Sequence, residues 1–200
     1  MAPAKDSQSQ SRTGGEWGVH FAWVVLVALG LVSGSAALAQ TAQCPGGPPD
    51  WKIDSRTGCK VWNHCPQHNE TVTWSGACVD GMANGVGTSV WYRDGKQTES
   101  YEGSVRAGKS EGHGIMRSEN GSAEGEWRDG HVGGQVVIVT AKSRYEGGYN
   151  AGKPHGYGVL TKANGTVYKG NWTNGCLKIN TRGDMIALNA TAAECSGIRR

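Results

Sequence analysis

The chain has 200 residues, a formal net charge of +3 and a hydrophobic fraction of 37%. That length fits one domain or one domain with appendages, and the small charge argues against nucleic acid as a partner. Glycine is far above its usual share of about 7%, at 32 residues, without the period of three that collagen requires.

In chain order, the first element is a targeting segment. Phe21 to Val32 is an uncharged apolar run of 12 residues. It is shorter than the ~20 residues that span a bilayer, and it matches the core of a secretory signal peptide. Ala37-Leu38-Ala39 then forms an A-x-A site, which places cleavage before Gln40. Residues 1–39 are therefore read as a signal peptide and the chain as periplasmic or secreted. An uncleaved membrane anchor is the alternative.

Residues 40–72 are rich in Pro, Gly and Cys and carry Trp51 and Trp62. They read as a small disulfide-rich cap. All six cysteines follow the cleavage site: Cys44, Cys59, Cys65, Cys78, Cys176 and Cys195. An even count in an exported chain predicts three disulfides. Six cysteines allow 15 pairings, and spacing alone does not choose among them. The expectation is Cys176 with Cys195, closing the tail, and the other four paired among themselves. Cys59, His64, Cys65 and His68 carry metal-binding chemistry, but their spacing matches no zinc pattern, so no metal is assigned.

From Thr73 the glycines fall into register. Units start at Trp74, Tyr101, Ala123, Tyr145 and Tyr168, in steps of 27, 22, 22 and 23 residues. Within a unit, Tyr145, Gly147 and Tyr149 alternate and so share one strand face. Asp80-Gly81, Ala107-Gly108, Asp129-Gly130, Ala151-Gly152 and Asn174-Gly175 supply the positive φ angles of tight hairpin turns. A second strand follows, as from Gly156 to Thr161, ending at Asp94-Gly95, Asn120-Gly121 or Asn164-Gly165. In-strand glycine normally weakens a sheet. Its recurrence predicts that neighbouring aromatic rings lie over bare backbone. The predicted fold is all-β: an elongated single-layer antiparallel sheet of tandem hairpins over 73–178, with a tail at 179–200. In that tail Asp184 to Leu188 fits a short helix or strand.

The pattern Y-x-G-x-W-x-x-G-x-x-H-G-x-G in these units resembles the MORN repeat. Tyr145 to Gly158 carries it with Tyr149 at the tryptophan position and His155-Gly156 in place. Tyr168 to Gly175 carries its first half, and Cys176-Leu177-Lys178 replaces the second strand. Ala123 and Gly133 stand where Tyr and His belong, and Cys78 where Trp belongs. The resemblance implies a platform for a protein partner, with phospholipid headgroups a secondary possibility.

No H-E-x-x-H sequence is present, and the strings that fit the Walker and G-x-S-x-G spacings, Gly103 to Ser110 and Gly108 to Gly112, fall inside the hairpin repeat rather than between a strand and a helix, so no catalytic residue and no cofactor is assigned, and the chain is read as a non-enzyme. An envelope-directed hydrolase is the remaining alternative. His113, His131 and His155 are read as structural. The candidate binding residues are the aromatic row Tyr101, Trp127, Tyr145, Tyr149, Tyr168 and Trp172, together with Glu102, Glu124 and Glu146 at one repeat position. The aromatic row is first the sheet's own packing surface, and part of it is expected to stay exposed. The glutamates read as a solvated face paired with Lys or Arg, or as a cation-binding stripe. The expected function is scaffolding of an unnamed protein partner at the cell envelope; the alternative is binding of anionic phospholipid at a membrane surface.

Overall fold

The computed structural model describes residues 44–180 and 183–197. The signal segment, its cleavage site and Arg199-Arg200 lie outside those residues. Among the described residues no helix is long and apolar enough to cross a membrane.

The described chain forms one 14-stranded sheet. The cap contributes β1 (Asp50–Ile53), β2 (Lys60–Asn63) and β3 (Glu70–Trp74). The hairpin array follows: β4 (Ala77–Val79), β5 (Met82–Arg93), β6 (Lys96–Arg106), β7 (Lys109–Ser118), β8 (Gly121–Arg128), β9 (His131–Val139), β10 (Ser143–Asn150), β11 (Lys153–Lys162), β12 (Val167–Thr173) and β13 (Cys176–Lys178). The tail adds β14 (Met185–Ala187) and one short helix, α1 (Ala192–Ser196). From β5 to β14 each strand pairs antiparallel with the next, as tandem hairpins require.

The turn chemistry explains the regularity. Asp80-Gly81, Asp94-Gly95, Ala107-Gly108, Asp129-Gly130, Ala151-Gly152 and Asn174-Gly175 all have positive φ at both residues. That is the requirement of a type I′ turn, whose twist matches the flanking strands. Two turns differ from the sequence expectation. Ser118 pairs with Gly121, so Glu119-Asn120 make the turn and Gly121 begins β8. At Asn164-Gly165, Gly165 N donates to Lys162 O and Lys162 N donates to Thr166 O, giving a longer loop with only Gly165 at positive φ. The last unit also keeps a second strand: Cys176–Lys178 pairs with β12 and with β14.

The sheet has two unlike faces. On one, a glycine row crosses the strands: Gly87, Gly103, Gly114, Gly125, Val136, Gly147, Gly158 and Gly170 are successive cross-strand partners. Tyr101 lies over Gly114 and Tyr145 over Gly158, so a methyl group at either glycine would run into the ring. The expected reason for in-strand glycine is therefore observed. Each tyrosine is clamped in the same way. Tyr101 Oη donates to Ser104 O at 2.9 Å, and Tyr145 Oη to Gly148 O at 2.7 Å. Each packs edge-on against a tryptophan of the following unit, Tyr101 with Trp127 at 5.2 Å and Tyr145 with Trp172 at 5.6 Å. The indole N–H of Trp127 then donates to Gly114 O, and that of Trp172 to Gly158 O. Burial of these rings supplies most of the apolar stabilisation available to a single sheet.

Both ends are stapled. Cys44 pairs with Cys65, Cys59 with Cys78 and Cys176 with Cys195. Cys59 and Cys65 are thus disulfide-bonded rather than available as thiolate ligands. In the cap, the buried Asp54 carboxylate accepts Trp74 N at 2.8 Å and the Arg56 side chain at 2.8 and 3.1 Å. The Arg56 hydrogen bonds hold its pKa well below the ordinary carboxylate value, against the opposing effect of burial. Strand β2 runs along the hairpin ends: Lys60 N donates to Gly81 O and Trp62 N to Gly108 O. At the other end, Leu188 N donates to Gly175 O in the same manner.

Candidate functional site

The structure separates the sequence candidates by face. Tyr101, Trp127, Tyr145 and Trp172 are buried, each no more than 6% exposed. They form the core, the packing role that the sequence assigns to the aromatic row first. The reason is that the glycine row lets the rings lie down on the backbone instead of standing in solvent. Burial also pushes the Tyr101 and Tyr145 phenols up to about 12. Tyr149 and Tyr168 are half-buried at the margin of the second core cluster. The Tyr149 phenol is also raised by burial, opposed by the hydrogen bond from Asn189 Nδ2 at 2.9 Å.

Glu102, Glu124 and Glu146 lie on the opposite, open face. Register places them in one straight row: Thr88, Glu102, Ile115, Glu124, Val137, Glu146, Val159 and Lys169 are successive cross-strand neighbours. The first strand of each central hairpin supplies an acid and the second a branched aliphatic. Only the repeat step is needed to align the acids; the aliphatic partners come from strand pairing and were not foreseen.

Pairing around the row is uneven. Arg117 reaches Glu102 at 3.4 Å, and Arg144 bonds Glu146 along its own strand. Among the described residues Glu124 and the adjacent Glu126 pair only with His113, at 3.4 and 3.6 Å. The sheet centre therefore holds two carboxylates with one histidine between them. All members of this group are more than 45% exposed, so each pair alone contributes little to stability. Val86, Tyr157 and Val167 project from the same face at 76%, 60% and 54% exposure. The sequence reading missed all three, since each falls on a strand position that alternation alone assigns to solvent.

Of the remaining histidines, His155 is exposed, and His131 stacks edge-on with His64 of the cap at 4.5 Å. Among the described residues no group of three or more His, Cys, Asp or Glu side chains is arranged to hold a metal ion.

The MORN repeat family model matches residues 101–123 and 145–167. The chain carries MORN repeats. The two matched stretches begin at Tyr101 and Tyr145, the two tyrosines clamped over glycines. The hairpins that begin at Trp74, Ala123 and Tyr168 extend the same sheet outside the matched residues. A comparison with curated proteins finds no match to the chain.

Proposed function

We propose that this MORN-repeat protein is an exported, non-catalytic interaction module that docks a protein partner at the cell envelope through the open face of its sheet. The observation that carries the reading is the uncovered row of Glu102, Glu124 and Glu146 interleaved with Ile115, Val137 and Val159. A face that mixes charge with exposed Val86 and Tyr157 suits a partner that is basic and apolar in patches. Three disulfides suit an oxidising compartment. The acidic row repels anionic headgroups, which favours protein over lipid.

The test is capture from the native envelope by the full, oxidised chain, in parallel with a Glu124→Lys, Tyr157→Ser variant. A basic protein retained by the parent chain and lost by the variant supports the reading. Equal capture by both, or turnover of an envelope glycan or ester by the purified chain, overturns it. Co-sedimentation with anionic vesicles is expected to be absent; its presence would transfer the role to a membrane surface.

A further inference from the structure

A second feature lies on the ring face, away from the glutamate row. Strand β2 and the loop that follows it stand over the first hairpins and enclose a cleft of about 400 Å³. Its apolar lining includes Trp62, Trp91 and Trp127, and its polar lining includes Glu70, Glu99 and Arg93. Beside these two carboxylates and one guanidinium, His64 also lines the cleft and Lys109 stands over Trp62.

The two carboxylates are held differently. Glu70 Oε2 accepts from Asn63 Nδ2 at 2.5 Å and from Gln67 N at 3.1 Å. Asn63 Oδ1 in turn accepts Cys65 N, next to the Cys44–Cys65 staple, so this wall is ordered before any ligand arrives. Glu99 sits opposite Trp91 and Ser118 on the ring face, where an apolar side chain would serve the sheet better. Among the described residues it has no hydrogen bond and no ion pair of its own. Glu99 is exposed to solvent, yet partial desolvation against the cleft wall pushes its carboxyl above the ordinary value, and Glu70 adds to the rise while Arg93 opposes it. Trp62 already attracts one ammonium: Lys109 Nζ stands 5.3 Å from its ring. Indole faces bind cations in this way, more strongly where water is excluded.

We propose that this cleft binds a small organic cation of the alkylammonium class, its charge met by Glu99 and its apolar groups by Trp62, Trp91 and Trp127. The cation supplies the direct ion pair that Glu99 does not make with Arg93. The wall of Asn63, Gln67 and Glu70 keeps the opening in shape, which lowers the ordering cost of binding.

The test titrates the full, oxidised chain with choline and with its uncharged carbon isostere, 3,3-dimethylbutan-1-ol. Tryptophan fluorescence and calorimetry report binding. Saturable choline binding is expected, with the isostere about tenfold weaker or more. Glu99→Gln weakens choline by about tenfold while the far-ultraviolet dichroism stays unchanged. Choline also binds more tightly as pH rises through the titration of Glu99, because the ionised carboxylate is the binding form. The outer-face Glu124→Lys, Tyr157→Ser variant keeps full choline affinity, which separates this site from the docking face. No saturable response, equal binding of the isostere, or an unchanged affinity in Glu99→Gln overturns the proposal. The choline-isostere comparison needs no variant, so it decides the matter even where Glu99→Gln alters the fold.

Discussion

The hairpins that begin at Tyr101 and Tyr145 differ from the one between them in a paired way. In the outer two, a tyrosine lies over a glycine of the adjacent strand, Gly114 or Gly158. In the middle one the tyrosine is Ala123, and the glycine position of its second strand is Val136. Gly125 there is packed by Val136 and Val132 rather than by a ring. Ring and glycine are thus one device spread over two strands. When the ring is lost the glycine is released to grow a side chain, and the core volume is kept. The cost is continuity: the buried residues fall into two clusters, one ending at Trp127 and one starting at Val136, with Val132 touching both.

That comparison is best broken at the rings. Trp172→Ala removes the edge contact to Tyr145 and the hydrogen bond to Gly158, and is expected to cost about 3–5 kcal/mol in urea denaturation. A cost under 1 kcal/mol would mean that the ring does not hold the unit. Next in size is Gly158→Ala, whose methyl must displace the Tyr145 ring; about 1–3 kcal/mol is expected, read from the thermal midpoint. The corresponding position in the middle unit tolerates valine, so the penalty belongs to the ring and not to the strand.

A finer test exchanges the two solutions. Ala123→Tyr alone collides with Val136 and destabilises, whereas Ala123→Tyr with Val136→Gly recovers most of the loss. A favourable coupling of about 1–3 kcal/mol in the double-mutant cycle is expected, and strict additivity would break the paired account. The smallest effect is in pH. The folded-state pKa of Tyr101 and Tyr145, about 12, lies above the ordinary value near 10, so the folded state holds protons that the unfolded state has lost. Stability from these two groups is intact below about pH 10 and falls as pH rises from there toward 12. Tyr101→Phe and Tyr145→Phe together should flatten that alkaline limb. At the acid end the sign reverses: Asp54 is depressed, so its contribution is present above about pH 4 and is lost as pH falls below it.

Much of this was legible in the residues themselves. Asp-Gly, Ala-Gly and Asn-Gly turns announce hairpins because few other residues accept positive φ at both positions. The constant repeat step puts Glu102, Glu124 and Glu146 in one row for the same local reason. In-strand glycine announced rings lying over bare backbone, whereas which members of the aromatic row are buried outright was not legible, because alternation shows which side a ring occupies and not what packs against it. The Glu119-Asn120 turn was missed because Asn120-Gly121 offers a stronger local signal one residue away, and cross-strand pairing of Ser118 with Gly121 overrides it.

The sequence by itself determined the hairpin repeat and its two faces, since turn chemistry and period-two alternation act over a few residues. Tertiary structure alone decided three things: the burial of Tyr101, Trp127, Tyr145 and Trp172, the exchange of ring for valine between Ala123 and Val136, and the passage of β2 across the ends of the hairpins at Gly81 and Gly108. Each depends on which strands lie side by side. Contacts between units 22 or more residues apart are set by packing of the whole sheet, and no local signal encodes them.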